Sequence, residues 1–158
     1  MIRTSCAGMR GESITGRPAT ELPPGPRGGR HSGSVPVRLM IVDDHADVRY
    51  LIRVIVEAGA EDVVVAGEAD GARQALEIID EVDPDVVLLD ALMPVVDGFE
   101  AAPMILGRRP GQPILLCSAL VDDQVRSRAE RAGIAACVSK DELDAISRLA
   151  LAVAARPG

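Results

Sequence analysis

The stretch Val86-Val87-Leu88-Leu89-Asp90-Ala91-Leu92-Met93-Pro94-Val95-Val96-Asp97-Gly98 decides the fold. Its first four residues are apolar without alternation, the pattern of a strand buried on both faces in the middle of a parallel sheet. The run ends on an acid. Open α/β sheets place their ligands at the carboxyl ends of the strands, so Asp90 stands where such a sheet does its chemistry. Asp97-Gly98 reads as turn chemistry rather than catalysis.

On either side the chain alternates between two periods. Upstream, Val37–Val42 reads as a strand ending in Asp43-Asp44. Ala46–Ala58 follows as a helix with Val48, Leu51, Ile52 and Ile55 facing inward, ended by Gly59. Val63–Ala66 is a second strand. Asp70 is placed to cap a helix from Gly71 to Val82, with Ala72, Ala75, Leu76 and Ile79 inward, and Asp83-Pro84 breaks it. Downstream, Phe99–Leu106 reads as a helix that Pro103 shortens or kinks. Ile114–Cys117 is a fourth strand ending at Ser118, and Gln124–Ala132 a helix with Val125, Ala129 and Ala132 inward. Ala135–Val138 is a fifth strand ending just before Lys140, and Asp141–Ala155 a last helix with Leu143, Ile146, Ala150 and Val153 on one face. Strands alternating regularly with helices predict an α/β fold: one doubly wound parallel sheet, covered on both sides through right-handed crossovers.

Composition narrows the class. The 158 residues suffice for one domain with a core, and 47% are apolar, but Tyr50 and Phe99 are the only aromatic residues. The core is therefore built from Val, Ile, Leu and Ala. A net charge of −7 argues against nucleic acid as the direct partner. No apolar run approaches the ~18 residues of a membrane span, and no signal peptide is recognisable. Cys6, Cys117 and Cys137 are odd in number and widely spaced, which suggests neither a disulfide framework nor a zinc site; a reduced, cytoplasmic protein is the simplest reading. Residues 1–36 hold seven of the 15 glycines and five of the 11 prolines, and five arginines against two glutamates. That composition predicts a disordered, basic Gly/Pro/Arg-rich tail before a folded domain over 37–156.

In a parallel sheet all carboxyl ends share one edge. There the sequence puts Asp43 and Asp44 after the first strand, Asp90 after the third, Ser118 after the fourth and Lys140, the chain's sole lysine, after the fifth. Three crowded carboxylates call for a cation, and all-oxygen ligands of this kind suit Mg²⁺. A lysine ammonium suits a phosphoryl oxygen, a serine hydroxyl can donate to the same group, and aspartate is a known covalent nucleophile in phosphoryl transfer. His45 reads as a surface residue, because Mg²⁺ prefers oxygen.

The ordered set Asp43-Asp44, Asp90 with Met93-Pro94 and Asp97-Gly98, Ser118-Ala119, and Lys140 resembles the receiver domain of two-component response regulators. Val42-Asp43-Asp44-His45 and Ser139-Lys140-Asp141 resemble the branch whose members often carry a helix-turn-helix output domain. The resemblance implies a flavodoxin-like fold with five parallel strands in the order 2-1-3-4-5 and five helices. It implies that Asp90 accepts a phosphoryl group from a histidine kinase or histidine phosphotransfer protein. It further implies that Asp44 and Asp90 bind Mg²⁺ directly, Asp43 largely through water, and that the Leu92 carbonyl completes the set. Ser118 and Lys140 then contact the phosphoryl group. A single-domain receiver of this kind acts on a downstream protein, or forms a homodimer, through the face made by the fourth helix, fifth strand and fifth helix. It is a signalling module rather than an enzyme.

Three positions depart from that pattern or tune it. Cys137 stands three residues before Lys140, where the family usually has Tyr or Phe. Leu92 and Leu120 flank the acceptor and predict a slowly decaying phosphoryl-Asp90, since apolar bulk there does not position water. The missing aromatic is the one feature favouring a degenerate receiver that binds partners without phosphorylation. A dinucleotide oxidoreductase is disfavoured because Asp43-Asp44-His45-Ala46-Asp47 offers no glycine-rich turn. A haloacid-dehalogenase-like phosphatase is disfavoured because its two acids stand two residues apart, whereas Asp43 and Asp44 are adjacent.

Overall fold

The computed structural model describes residues 35–59 and 62–155, so the expectation of a disordered tail falls almost wholly outside the described residues. The elements run β1 (Val37–Val42), α1 (Ala46–Gly59), β2 (Val63–Ala69), α2 (Ala72–Val82), β3 (Val86–Asp90), α3 (Gly98–Arg108), β4 (Ile114–Ser118), α4 (Asp123–Arg131), β5 (Ala136–Ser139) and α5 (Ile146–Ala154). The strands form one sheet in the order β2-β1-β3-β4-β5, and each pairing is parallel.

Alternate strand residues feed two cores, as the pleat requires. Met40, Val42, Val87, Leu89, Ile114 and Leu116 pack with Ala75, Ile79, Ala101, Ile105 and Ala129 of α2, α3 and α4. Leu39, Ile41, Val86, Leu88, Leu115 and Cys117 pack with Ile52, Val56, Ile146, Ala150 and Val153 of α1 and α5. All five residues of β3 and all five of β4 are buried, which is why these strands read as unbroken apolar runs. Among the described residues no helix is long and apolar enough to cross a membrane.

Several boundaries differ from the sequence reading. β2 continues to Ala69 because its backbone stays paired with β1 beyond a register shift, joining Met40 to Gly67 and Val42 to Ala69. Asp70 does not cap α2. The cap residue is Gly71, with no side-chain bond, while the Asp70 N–H donates to Gln74 Oε1 at 2.7 Å. α3 runs through Pro103 to Arg108 and is not shortened; an Asp97/Glu100 capping box starts it and the proline sits on its exposed side. The last helix is split, with a 3₁₀ turn at Leu143–Ala145 before α5. On α1, Leu51 is 48% exposed and Val56 takes its expected place inside. Leu51 lies about 100° around the helix from Ile52, whereas Val48 and Val56 lie within about 40° of it.

Candidate functional site

The edge formed by the strand carboxyl ends gathers the predicted residues by backbone bonding. The Asp43 N–H donates to the Ala69 carbonyl at 3.1 Å, extending the β1–β2 ladder by one residue. The Ala91 N–H donates to the Cys117 carbonyl and the Lys140 N–H to the Ser118 carbonyl, each at 2.8 Å. Asp90, Ser118 and Lys140 are therefore set by the sheet itself, before any side chain acts.

Lys140 Nζ lies 2.9 Å from Asp90 Oδ1 and 3.3 Å from Asp43 Oδ2. Asp43 and Asp90 are each 2% exposed. Burial, reinforced by the Asp43 charge, raises the Asp90 carboxyl above its usual range against the opposing pull of Lys140 and the Leu92 backbone N–H. Burial alone would lower Lys140, but the two carboxylates outweigh it and the ammonium is held more firmly than usual. Asp43 Oδ1 accepts from the His45 backbone N–H at 2.8 Å. Asp44 Oδ1 comes within 3.0 Å of His45 Nδ1 without hydrogen-bond alignment.

Among the described residues two buried side-chain oxygens have no hydrogen-bond partner, Asp44 Oδ1 and Asp90 Oδ2. A buried carboxylate oxygen without a partner is costly unless a cation takes it. Asp43, Asp44 and His45 each bring a possible ligand atom within 4.8 Å of the other two, and Lys140 ties Asp43 to Asp90. The carboxylate oxygens of this edge are hard donors that fit a divalent ion such as Mg²⁺. Ser118 is brought to the same edge, 7% exposed. Its Oγ accepts from the Leu120 N–H at 3.4 Å, and no hydrogen bond from it to Asp90 or Lys140 is present among the described residues. The Leu92 and Leu120 side chains are 70% and 64% exposed at the rim.

The loop after Asp90 is closed by glycine. The Gly98 N–H donates to the Ala91 carbonyl at 3.1 Å, and a Cβ on Gly98 would lie 2.2 Å from the Asp90 carbonyl oxygen. The turn signal in Asp97-Gly98 was legible; this contact with the acceptor backbone was not. Sequence reasoning also missed Arg49, whose Nη1 donates to the Asp43 carbonyl at 2.7 Å, and Arg128, which pairs with Asp97 at 2.8 Å and lies 4.0 Å over the Phe99 ring. An arginine one turn past the acidic pair was the available signal for the first.

A family profile described as the response regulator receiver domain matches residues 39–153. The chain belongs to the response regulator receiver domain family. This receiver domain is 33% identical over 115 residues to the chemotaxis protein CheY of Halobacterium salinarum, which spans 70% of this chain and 93% of that protein. It resembles a two-component response regulator of the LuxR family from Aurantimonas, with a TM-score of 0.71 and 28% identity, covering 77% of this chain and 86% of that one. The response regulator domain of Thermotoga maritima CheB shares the fold, with a TM-score of 0.70 at 23% identity, covering 78% of this chain and 100% of that one. The receiver is accordingly a two-component signalling module with a flavodoxin-like fold. Where the family usually has an aromatic ring it has Cys137, half-buried beside a hollow of about 280 Å³ lined by Arg126, Ala129, Glu130 and Ile134.

Proposed function

We propose that this receiver is phosphorylated on Asp90 in a Mg²⁺-dependent reaction and thereby switches its binding to a partner. The observation that carries the reading is the division of labour at Asp90: one oxygen sits on Lys140 Nζ at 2.9 Å and the other is buried without a partner. An Asp90 oxygen attacks the donor phosphorus and an acyl phosphate bond forms. The bond from phosphorus to the donor's histidine nitrogen breaks, and its electron pair leaves with the imidazole. Lys140 holds the negative charge of the transferred group, and Ser118 donates its hydroxyl to a phosphoryl oxygen after leaving Leu120. Asp44, Asp90 and the Leu92 carbonyl would hold Mg²⁺ directly, and Asp43 would hold it through water. Bound there, the ion supplies electrostatic neutralisation of the transferring group, in which most of the catalysis of phosphoryl transfer lies.

The donor is a histidine kinase or histidine phosphotransfer protein. The output is a downstream protein or a homodimer engaged through α4, β5 and α5. The family match supports a receiver over 37–156. The test is intact mass after incubation with acetyl phosphate. The wild type gains one phosphoryl group with Mg²⁺ and none with chelator, and Asp90→Asn gains none; a wild type that stays unmodified refutes the reading. Cys137 favours a second reading, a receiver that binds its partner without phosphorylation. That reading holds if Asp90→Asn signals as the wild type does.

A further inference from the structure

We propose that Arg49 is a positioning residue for the cation site: its guanidinium fixes the peptide plane from which Asp44 projects. The inference rests on the reading of the acidic edge as a Mg²⁺ site. Arg49 lies on α1 with its side chain 18% exposed. Its Nη1 donates to the Asp43 main-chain carbonyl at 2.7 Å, and its Nε reaches Glu68 Oε2 at 3.3 Å. Glu68 belongs to β2 and is also held by Arg53, whose Nε donates to Oε1 at 2.9 Å.

The chain of contacts runs from strand to acid. Glu68 is fixed by its register in β2, opposite Ile41. It holds the guanidinium, and the guanidinium holds the Asp43 carbonyl oxygen. A peptide unit is planar, so fixing that oxygen fixes the nitrogen and Cα of Asp44 in the same plane. The point from which the Asp44 side chain departs is thereby held, which narrows where Oδ1, buried with no hydrogen-bond partner and 3.0 Å from His45 Nδ1, can sit. Arginine suits this task because its rigid fork spans a carboxylate and a carbonyl at once.

Charge and positioning predict opposite signs. A cation beside a cation site repels the incoming ion, so electrostatics alone predicts that removing Arg49 tightens Mg²⁺ binding. Positioning predicts weaker binding, by about tenfold, the lower end of the range for groups that orient metal ligands. Arg53 serves as the charge control, because it pairs with the same Glu68 without touching Asp43.

The experiment is calorimetric titration of MgCl2 into the unphosphorylated full chain. Arg49→Met keeps the stem and deletes the guanidinium; it should raise the Mg²⁺ Kd about tenfold and raise by a similar factor the Mg²⁺ concentration that half-saturates labelling by acetyl phosphate. Arg53→Met should leave the Kd within about twofold of wild type, and Arg49→Lys should recover part of the loss. Should Arg49→Met melt below the assay temperature, Arg49→Gln carries the same expectation. Equal or tighter binding by the Arg49 variant, or an equal loss in Arg53→Met, overturns the positioning role and leaves the phosphoacceptor reading intact. A wild type that binds no Mg²⁺ overturns both.

Discussion

Gly98→Ala puts two physical effects in opposition at the acceptor loop. Gly98 opens α3, and alanine is the better helix former, by up to about 1 kcal/mol at an interior position. Propensity alone therefore predicts a more stable protein. The contact predicts the reverse. The added Cβ would stand 2.2 Å from the Asp90 carbonyl oxygen, 3.0 Å from its carbon and 3.1 Å from Ala91 Cα. Ordinary contact between carbon and oxygen begins near 3.3 Å, so the main chain must part by about 1 Å. These are backbone atoms of a fully buried strand and its first loop residue, with no side-chain rotation available to relieve them. Overpacking of this kind costs about 1–3 kcal/mol, and a 2.2 Å approach to backbone falls at the upper end, so a net loss of about 2 kcal/mol remains after the gain in propensity. The displacement falls on the residue that accepts the phosphoryl group, where a shift of about 1 Å is worth roughly a hundredfold in rate. Urea denaturation followed by far-UV circular dichroism measures the first effect, and the rate of labelling by acetyl phosphate the second. A variant as stable as wild type, labelled at the wild-type rate, refutes the argument.

Three further outcomes follow from other residues. Val95 has φ of 71°, is fully exposed, and is the middle of a γ-turn closed by the Val96 N–H on the Pro94 carbonyl at 2.8 Å. A β-branched residue is strained there, so Val95→Asn should stabilise by roughly 1 kcal/mol in urea denaturation; a loss of stability refutes the strain. Asp90 has a raised pKa, chiefly from burial, so the folded state binds more protons than the unfolded one as pH rises from the ordinary value of 3.8. The stability it contributes is present at low pH and lost as pH rises through the folded value. Asp90→Asn should therefore melt above wild type at neutral pH, with the gap closing on acidification; a gap that widens in acid contradicts this. Replacing Leu92 and Leu120 together with polar residues should shorten the life of phosphoryl-Asp90, measured as phosphate release, and an unchanged lifetime removes their proposed role.

The features readable in advance were those written in side-chain pattern. β3 and β4 are buried on both faces and so appear as unbroken apolar runs, each ending on a polar residue that marks the sheet edge. Asp43, Asp44, Asp90, Ser118 and Lys140 could be gathered because parallel topology forces strand ends together, whatever the loops do. Features set by the backbone were hidden. Glu68 reads as loop sequence, yet it is strand because its main chain still pairs with β1. Leu51 fits a helical stripe at i+3, but Val48, Ile52 and Val56 define the face that meets the sheet. Arg49 and Gly98 act on carbonyl oxygens, and no pattern of side chains reveals which carbonyl lies within reach.

The most direct measurement of the central claim is chemical localisation of the phosphoryl group. Borohydride reduces an aspartyl phosphate to homoserine, and peptide mapping then reads its position. After labelling with acetyl phosphate and Mg²⁺, homoserine should appear at position 90, beside the lysine 2.9 Å away that anchors the account. Homoserine at 43 or 44, or at no position, would contradict it.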